Sequence, residues 1–194
     1  MSECTITHMQ NSPKLLSTAE VRRETVIDSA IAVFAKGGYL GTPIAAVATH
    51  AKISSAYVFK LFPSKEELFV VALEQGFKLI HATLNDGADR SADQTPDGVL
   101  SAMGAAYATL ISNRDLLMLQ VHALSVADVP EIGTAFRRWL QTITKFVKSR
   151  SGASDEAVQR FFAYGQLCHL ITVLSLDGNA AAWARMLTVG IRHP

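Results

Sequence analysis

Apolar residues recur at helical spacing along most of this 194-residue chain. After Ser17 the apolar positions fall three or four residues apart, at Val26, Ile27, Ala30, Ile31, Val33 and Phe34. This spacing gives a helix one apolar face. Ser17 and Glu20 have the form of a capping box, and the Gly37-Gly38 pair is typical of a helix end. The pattern therefore predicts a first helix that begins near Ser17 and ends at the glycine pair.

Two shorter helices are predicted next, within the stretch Gly41–Leu68. Thr42 is a suitable N-cap, and Pro43 suits the first helical position, where its missing N–H is not needed. A turn is predicted around Lys52, and Ser54 can cap a helix over about 55–61. Two short helices that cross on a small apolar contact form a helix-turn-helix, whose second helix can enter the major groove of DNA.

The remaining chain continues the helical pattern without an internal repeat. We predict a long helix from Lys65 to about Leu84, a polar loop over 85–95, and further helices over about 96–112, 114–126, 130–150, 155–176 and 180–191. About nine helices and no strand make an all-α fold. We expect a flexible arm over 1–16, a helix-turn-helix domain over 17–65 and a larger helical domain over 66–194.

The charge distribution supports a contact with nucleic acid. The net charge of the whole chain is only +1, and 49% of its residues are hydrophobic. Between Ser29 and Lys65, however, the chain has no Asp or Glu and four lysines, a local charge of +4. An acid-free basic surface is what contact with DNA phosphates requires.

Several other classes of protein lack support in the sequence. Cys4 and Cys168 lie too far apart to suggest a disulfide framework, and the scattered histidines suggest no metal site. Residues 1–16 lack the apolar core of a signal peptide, and no apolar stretch is long enough to span a bilayer. No motif of a hydrolase, kinase or dinucleotide-binding enzyme is present. We therefore expect a cytoplasmic protein that is not an enzyme, needs no cofactor or metal and does not enter a membrane.

The helix-turn-helix stretch resembles the DNA-binding domain of the tetracycline-repressor (TetR) family of bacterial transcriptional regulators. The matching residues are Phe34, Ala35, Gly38, Tyr39, Thr42, Ile44, Val47, Ala48, Ala51, Ile53, Ser54, Lys60, Phe62, Ser64, Lys65 and Leu68. The chain departs from the family at Lys52 and Ala56, where glycine is common, and at Phe59, where tyrosine is common. Because a tyrosine hydroxyl would bind phosphate and Phe59 cannot, we expect this contact to pass to Tyr57.

The resemblance assigns DNA-binding roles to particular residues. Thr42 and Lys65 are expected to meet phosphates at two helix starts, and Lys60 is expected to hold the DNA backbone. Ser55, Ala56 and Tyr57 are expected to face the groove. The full predicted set is Thr42, Lys52, Ser54, Ser55, Ala56, Tyr57, Lys60 and Lys65.

The larger domain is expected to bind a ligand and a second copy of the chain. An apolar cavity is predicted among Phe77, Met103, Tyr107, Leu110, Leu117, Met118, His122, Trp139, Phe146 and Phe162, although for each residue taken singly core packing is the better explanation. Tyr107 and His122 are the expected polar contacts. A dimer interface is predicted on the last two helices, at Phe161, Tyr164, Leu167, Leu170, Ile171, Leu174, Trp183 and Leu187.

These features together predict a homodimeric repressor that binds a near-palindromic operator in double-stranded DNA. A small apolar or amphipathic effector would release it by shifting the helix that begins at Lys65, which joins the two domains in the family. Two alternatives stay open. One is a small-molecule-binding protein with little or no DNA binding, which Ala56 and Phe59 would favour. The other is a helical enzyme that uses the same cavity, for which the sequence offers no motif.

Overall fold

The computed structural model describes residues 18–191, which form nine α-helices, one 3-10 turn and no strand. The helices are α1 (Thr18–Gly41), α2 (Ile44–His50), α3 (Ser55–Leu61), α4 (Lys65–Asp89), α5 (Pro96–Ile111), α6 (Arg114–Ser125), α7 (Pro130–Ser151), α8 (Asp155–Leu174) and α9 (Ala182–Thr188), with the turn at Leu176–Gly178 before α9. The predicted arm of residues 1–16 and the capping Ser17 lie outside the described residues. Within that range the all-α prediction is confirmed.

The first three helices pack around a small apolar core. Val26, Ala30 and Phe34 of α1 are almost fully buried, as are Val47 of α2 and Val58 of α3. Phe34 also contacts Phe69 of α4 edge to face, with ring centroids 4.9 Å apart. The helix-turn-helix is therefore held against α1, and α1 in turn packs on the start of α4.

Two local details differ from the sequence-based expectation at the end of α1. Gly38 has φ 66°, as expected for a helix end, but the chain then continues in one more helical turn to Gly41. Pro43, in an extended conformation, precedes α2, and Thr42 does not cap it. Thr42 is instead only 2% exposed, and a Cβ atom at Gly37 would lie 2.5 Å from its Oγ1. Thr42 thus fills the space left by a glycine.

Helix α4 continues five residues beyond the predicted end at Leu84. Gly87 and Ala88 are buried against α5, and a Cβ atom at Gly87 would lie 2.9 Å from the carbonyl oxygen of Ala102. The close approach of the two helices makes this glycine part of a packed contact, so the loop is limited to 90–95. Interior contacts of this kind are not visible in a local pattern.

The last helix, α9, is shorter than predicted. Asn179 does not cap it directly, because its Oδ1 accepts a hydrogen bond from the N–H of Ala181 (2.9 Å), one residue before the helix begins. Helix α8 ends at Leu174, and Ser175 follows with φ 53°. No helix among residues 18–191 combines the length and the apolar character needed to cross a bilayer.

Candidate nucleic-acid interface and interior cavity

Helix α3 has one buried side and one outward side. Val58 is fully buried and Phe62, just after the helix, is 1% exposed. Ala56, Phe59 and Lys60 are exposed, and Phe59 is exposed to 48%. At about 100° of rotation per residue these three positions fall within one third of the helix circumference. They form what we call the outward face of α3.

Tyr57 lies to one side of the outward face. It is half-buried, and the guanidinium carbon of Arg22 lies 5.7 Å from the centroid of its ring. Ser54 caps the helix, because its Oγ accepts a hydrogen bond from the Tyr57 N–H (3.2 Å). Ser55 is also half-buried. Phe59, which is absent from the predicted set of DNA-binding residues, therefore lies on the outward face.

Lys52 occupies the turn between α2 and α3 in a left-handed conformation, with φ 56°. The turn is closed by a hydrogen bond from the Ile53 N–H to the Ala48 carbonyl (3.0 Å). Residues other than glycine adopt this region at a cost of about 1–2 kcal/mol. The lysine side chain is exposed. Because glycine adopts a positive φ without this cost, glycine suits this position in the turn.

Lys65 links the start of α4 to the end of α1. Its Nζ lies 4.7 Å from the centroid of the Tyr39 ring and donates a hydrogen bond to the Leu40 carbonyl (3.5 Å). The Tyr39 hydroxyl donates to Glu66 Oε1. Burial, aided by the Glu66 carboxylate, raises the pKa of Tyr39 to about 12, and the same hydrogen bond lowers the pKa of Glu66. Lys65 is thus half-buried in an interhelical contact.

A cavity of about 710 Å³ lies behind these helices, mainly between α4, α5, α7 and α8. Phe77, Tyr107 and Phe162 of the predicted pocket residues line it. The other seven predicted residues do not line the cavity. Met103 and Leu117 are fully buried, and Leu110 borders a separate shallow depression. The remaining four are half-buried away from the cavity wall: Met118, His122, Trp139 and Phe146.

His122 lies between α6 and α1. Its Nε2 is 3.2 Å from the carbonyl oxygen of Ala35, and a Cβ atom at Gly38 would lie 3.0 Å from its Nδ1. The sequence placed His122 in the cavity because it follows an apolar run at helical spacing. It instead fits against the break in α1.

Tyr107 and Gln120 line the cavity, and His169, which does not line it, contacts Tyr107. The Tyr107 hydroxyl donates to Gln120 Oε1 (3.3 Å) and lies 2.5 Å from His169 Nε2. The Gln120 amide in turn donates to the Leu116 carbonyl (3.2 Å). The result is a continuous hydrogen-bonded chain that we call the Tyr107 network.

Burial keeps the Tyr107 network uncharged. It raises the pKa of the Tyr107 hydroxyl and lowers the pKa of His169 to about 4. Gln120 and His169 are 7% and 6% exposed. Tyr107 belongs to the pocket predicted from the sequence, whereas its partners Gln120 and His169 do not. Gln120 lies inside the apolar run 116–124, and a buried polar group needs a hydrogen-bond partner. Its position in that run therefore indicates a buried polar contact.

Two aromatic rings, those of Phe77 and Phe136, form another part of the cavity wall. Phe77 contacts Phe136 edge to face, with centroids 5.1 Å apart, and stacks on Trp139 at 6.0 Å. Within residues 18–191 the buried indole N–H of Trp139 has no acceptor. Because Trp139 stacks on Phe77, which lines the cavity, we expect the fluorescence of Trp139 to change when the cavity is filled.

Helices α8 and α9 carry an exposed apolar face. Its members are Tyr164, Leu170, Leu174, Trp183, Met186 and Val189, each exposed to between 47% and 76%. Of the residues predicted for the dimer interface, Ile171 is fully buried inside the chain, and Phe161, Leu167 and Leu187 are half-buried and line the cavity. The exposed face adjoins the cavity, since Tyr164, Met186 and Val189 border both.

No three histidine, cysteine, aspartate or glutamate side chains between residues 18 and 191 are grouped as metal ligands. The described residues form a basic helix-turn-helix, an apolar cavity with one neutral polar network, and an exposed apolar face.

The sequence pattern described as "Bacterial regulatory proteins, tetR family" matches residues 26–72, which cover α1 from Val26, α2, α3 and the start of α4. Among curated proteins, the HTH-type transcriptional repressor KstR of Rhodococcus jostii (strain RHA1) is 24% identical over 169 residues, or 70% of this chain and 77% of that protein. KstR of Mycobacterium tuberculosis (strain ATCC 25618 / H37Rv) is 38% identical over 71 residues, so this chain spans only 30% of its length.

Solved structures share the whole fold. A TetR-family transcriptional regulator from Agrobacterium tumefaciens matches with a TM-score of 0.68 and 16% identity, over 88% of this chain and 95% of that one. A multidrug binding protein, EbrR, complexed with imidazole, matches with a TM-score of 0.63 and 18% identity, over 93% and 99%.

The helix-turn-helix, set on a larger helical body, defines a DNA-binding transcriptional regulator. Over residues 26–72 the chain matches the TetR family of bacterial regulatory proteins, and the repressor relatives and the shared fold agree with this match. Its relatives are regulators, and no enzyme family is indicated.

Proposed function

We propose that this protein is a ligand-responsive repressor, which binds a near-palindromic operator as a homodimer and leaves it when a small apolar or amphipathic molecule binds. The observation that carries the proposal is the outward face of α3, which is exposed within a stretch that has four lysines and no acidic residue. A face of this kind suits the major groove, because the surrounding positive charge attracts phosphates.

The DNA contacts are proposed as follows. Lys60, on the outward face, and Lys52, in the turn before α3, supply exposed ammonium groups for phosphates. Tyr57 contributes its hydroxyl from the side of α3, where Arg22 lies over its ring. Lys65 would have to leave the Leu40 carbonyl to reach a phosphate, so we propose a secondary role for it. We call the helix-turn-helix of α2 and α3 the DNA-binding head. Because Thr42 is buried, we propose that it supports this head from inside.

The homodimer is proposed to form through the exposed apolar face on α8 and α9. Six large apolar side chains lie there in water in the single chain, and contiguous exposed patches of this kind commonly mark association sites. A two-fold dimer would carry two copies of α3 and would thereby match the symmetry of a palindromic site.

The effector is proposed to occupy the 710 Å³ cavity. Its wall is mainly apolar, and the Tyr107 network offers an uncharged hydrogen-bonding group. A pocket of this size and character suits a small apolar molecule with a polar group. By linkage, an effector that lowers the affinity for operator must itself bind more weakly to the operator-bound protein.

Fluorescence anisotropy on a duplex from the DNA upstream of the protein's own gene tests the proposed head. Lys60→Ala is expected to weaken binding and to reduce the salt dependence by about one unit of the slope of log K against log salt, since one phosphate contact is lost. Lys78→Ala is the matched control, because Lys78 is exposed on α4 away from the head.

Equal binding by Lys60→Ala and the parent would contradict this assignment of the DNA-binding surface. A parent protein that binds apolar molecules but no duplex would favour the alternative, a small-molecule-binding protein with little or no DNA binding.

A further inference from the structure

The outward face of α3 has an unusual chemical composition for a helix that reads DNA. Of its three members, Ala56 and Phe59 have no side-chain hydrogen-bond donor or acceptor, and only Lys60 is polar. Tyr57 and Ser55 lie half-buried at its edges. The donor and acceptor pattern of base pairs is read by polar side chains such as Arg, Asn and Gln, which this face lacks.

Base edges in the major groove offer one apolar group, the C5-methyl group of thymine. Ala56 and Phe59 are separated by three residues, so their side chains are neighbours on one side of α3. The 48% exposure of Phe59 leaves about half of its surface available for contact. A contact that removes the apolar surface of the ring from water lowers the free energy of the complex, and a ring that stays in water makes no such contribution.

Lys60, on the same face, is suited to a phosphate at the edge of the groove. A contact between Lys60 and a phosphate would orient α3 so that Ala56 and Phe59 face the bases. In protein–DNA complexes, phosphate contacts position the protein and base contacts specify the sequence.

We propose that Ala56 and Phe59 read the operator through the methyl groups of thymines, so that each half-site contains at least one thymine whose C5-methyl group determines affinity. This inference rests on the proposed DNA binding. It makes Phe59 a specificity-determining residue, where the sequence alone suggested a weakened phosphate contact.

The test begins with a duplex selected from a random-sequence pool by the full-length protein. Each thymine is then replaced singly by uracil, which removes the methyl group and preserves every hydrogen-bonding group. Burial of one methyl contributes a free energy equivalent to about a fourfold change in affinity. We expect about a fourfold loss at one or two thymines of each half-site and no change at the others.

Variants identify the side chain responsible. In Phe59→Ala the difference between thymine and uracil should disappear at the sensitive position, while in Phe59→Tyr, which keeps the ring, it should persist. Leu124→Ala is the control for a general effect of removing an exposed apolar side chain, since Leu124 is 45% exposed on α6. It should leave the thymine preference intact.

Two results would overturn the inference. One is a selected duplex in which no thymine is sensitive to uracil, even if Phe59→Ala binds more weakly, because Phe59 would then contact the sugar-phosphate backbone. The other is a uracil effect that survives unchanged in Phe59→Ala. Failure of the proposed function is distinguishable from both, since no duplex would then be selected at all.

Discussion

The Nε2 atom of His122 lies 3.2 Å from the carbonyl oxygen of Ala35, 87 residues earlier in the chain. Since a carbonyl only accepts, His122 carries its proton on Nε2 and donates it across the contact between α6 and α1. Two residues before His122, Gln120 lines the cavity. Helix α6 therefore touches both the cavity and the helix that supports the DNA-binding head.

Replacement of His122 by alanine should weaken the attachment of the head. The loss of one partly buried hydrogen bond and of the contact at Gly38 is expected to cost about 1–2 kcal/mol of unfolding free energy. Thermal or denaturant unfolding measures this cost. His122→Gln, which can still donate to Ala35, should recover part of it. Equal stability of the parent and His122→Ala would show that the contact contributes nothing.

The left-handed turn at Lys52 yields a prediction that separates backbone strain from charge. Lys52→Gly and Lys52→Ala both remove the ammonium group, but only glycine adopts φ 56° without a steric penalty. The glycine variant should be more stable than the alanine variant by about 1 kcal/mol. Denaturant unfolding gives the difference.

The same pair of variants tests the role of the Lys52 charge. If Lys52 contacts a phosphate, both substitutions should reduce the salt slope of DNA binding by about one unit, and by equal amounts. A slope that stays at the parent value in both variants would limit Lys52 to a role in the turn.

Stability should depend on pH through His169. Its pKa is about 4 in the folded protein and 6.5 in an ordinary environment, because burial disfavours the charged ring. Between these values the unfolded state binds the proton and the folded state does not, so unfolding free energy is lost as pH falls from about 6.5 to about 4. The loss from this one group is at most about 3 kcal/mol.

His169→Gln isolates this contribution, because glutamine does not titrate and its amide can donate to the Tyr107 oxygen. Other groups titrate equally in both proteins. The stability difference between parent and variant should therefore change across this pH window, with the parent losing more toward acid. Parallel pH profiles would exclude His169 as the source.

The exposed apolar face predicts a charge-sensitive dimer. Leu174, 57% exposed on α8, can be changed to glutamate without disturbing the interior. If the face forms the interface, burying this carboxylate should raise the dissociation constant at least thirtyfold, equivalent to about 2 kcal/mol or more. Analytical ultracentrifugation measures it. Leu124→Glu, on α6, is the matched control, and equal dimerisation of both variants would place the interface elsewhere.

Local sequence signals predicted most of the fold for physical reasons. Five helices begin after a side chain that accepts a hydrogen bond from a nearby backbone N–H group, which is a relation between neighbours in the sequence. These capping residues are Ser54, Ser64, Thr95, Asn113 and Ser154. The end of α7 at Gly152, with φ 65°, follows from the conformational freedom of glycine.

The features that the sequence did not predict depend on contacts between distant segments. The local pattern predicts a loop at Gly87, but in the structure α5 packs on this residue. It also predicts His122 in the cavity, but in the structure His122 lies against the break in α1. Likewise, His169 joins Tyr107 only because α8 crosses α5. Periodicity identifies which residues are buried, but it does not identify their partners.

The central claim is that this chain binds DNA through the head and responds to a molecule in the cavity. The most direct test is an anisotropy titration of the parent protein on the upstream duplex across a salt series, repeated with an apolar molecule that binds the protein. Binding of that molecule is followed by the fluorescence of Trp139 in a Trp183→Phe variant. We predict saturable DNA binding that weakens steeply with salt and weakens further when the cavity is filled. Binding of the apolar molecule without any salt-dependent affinity for DNA would contradict the account.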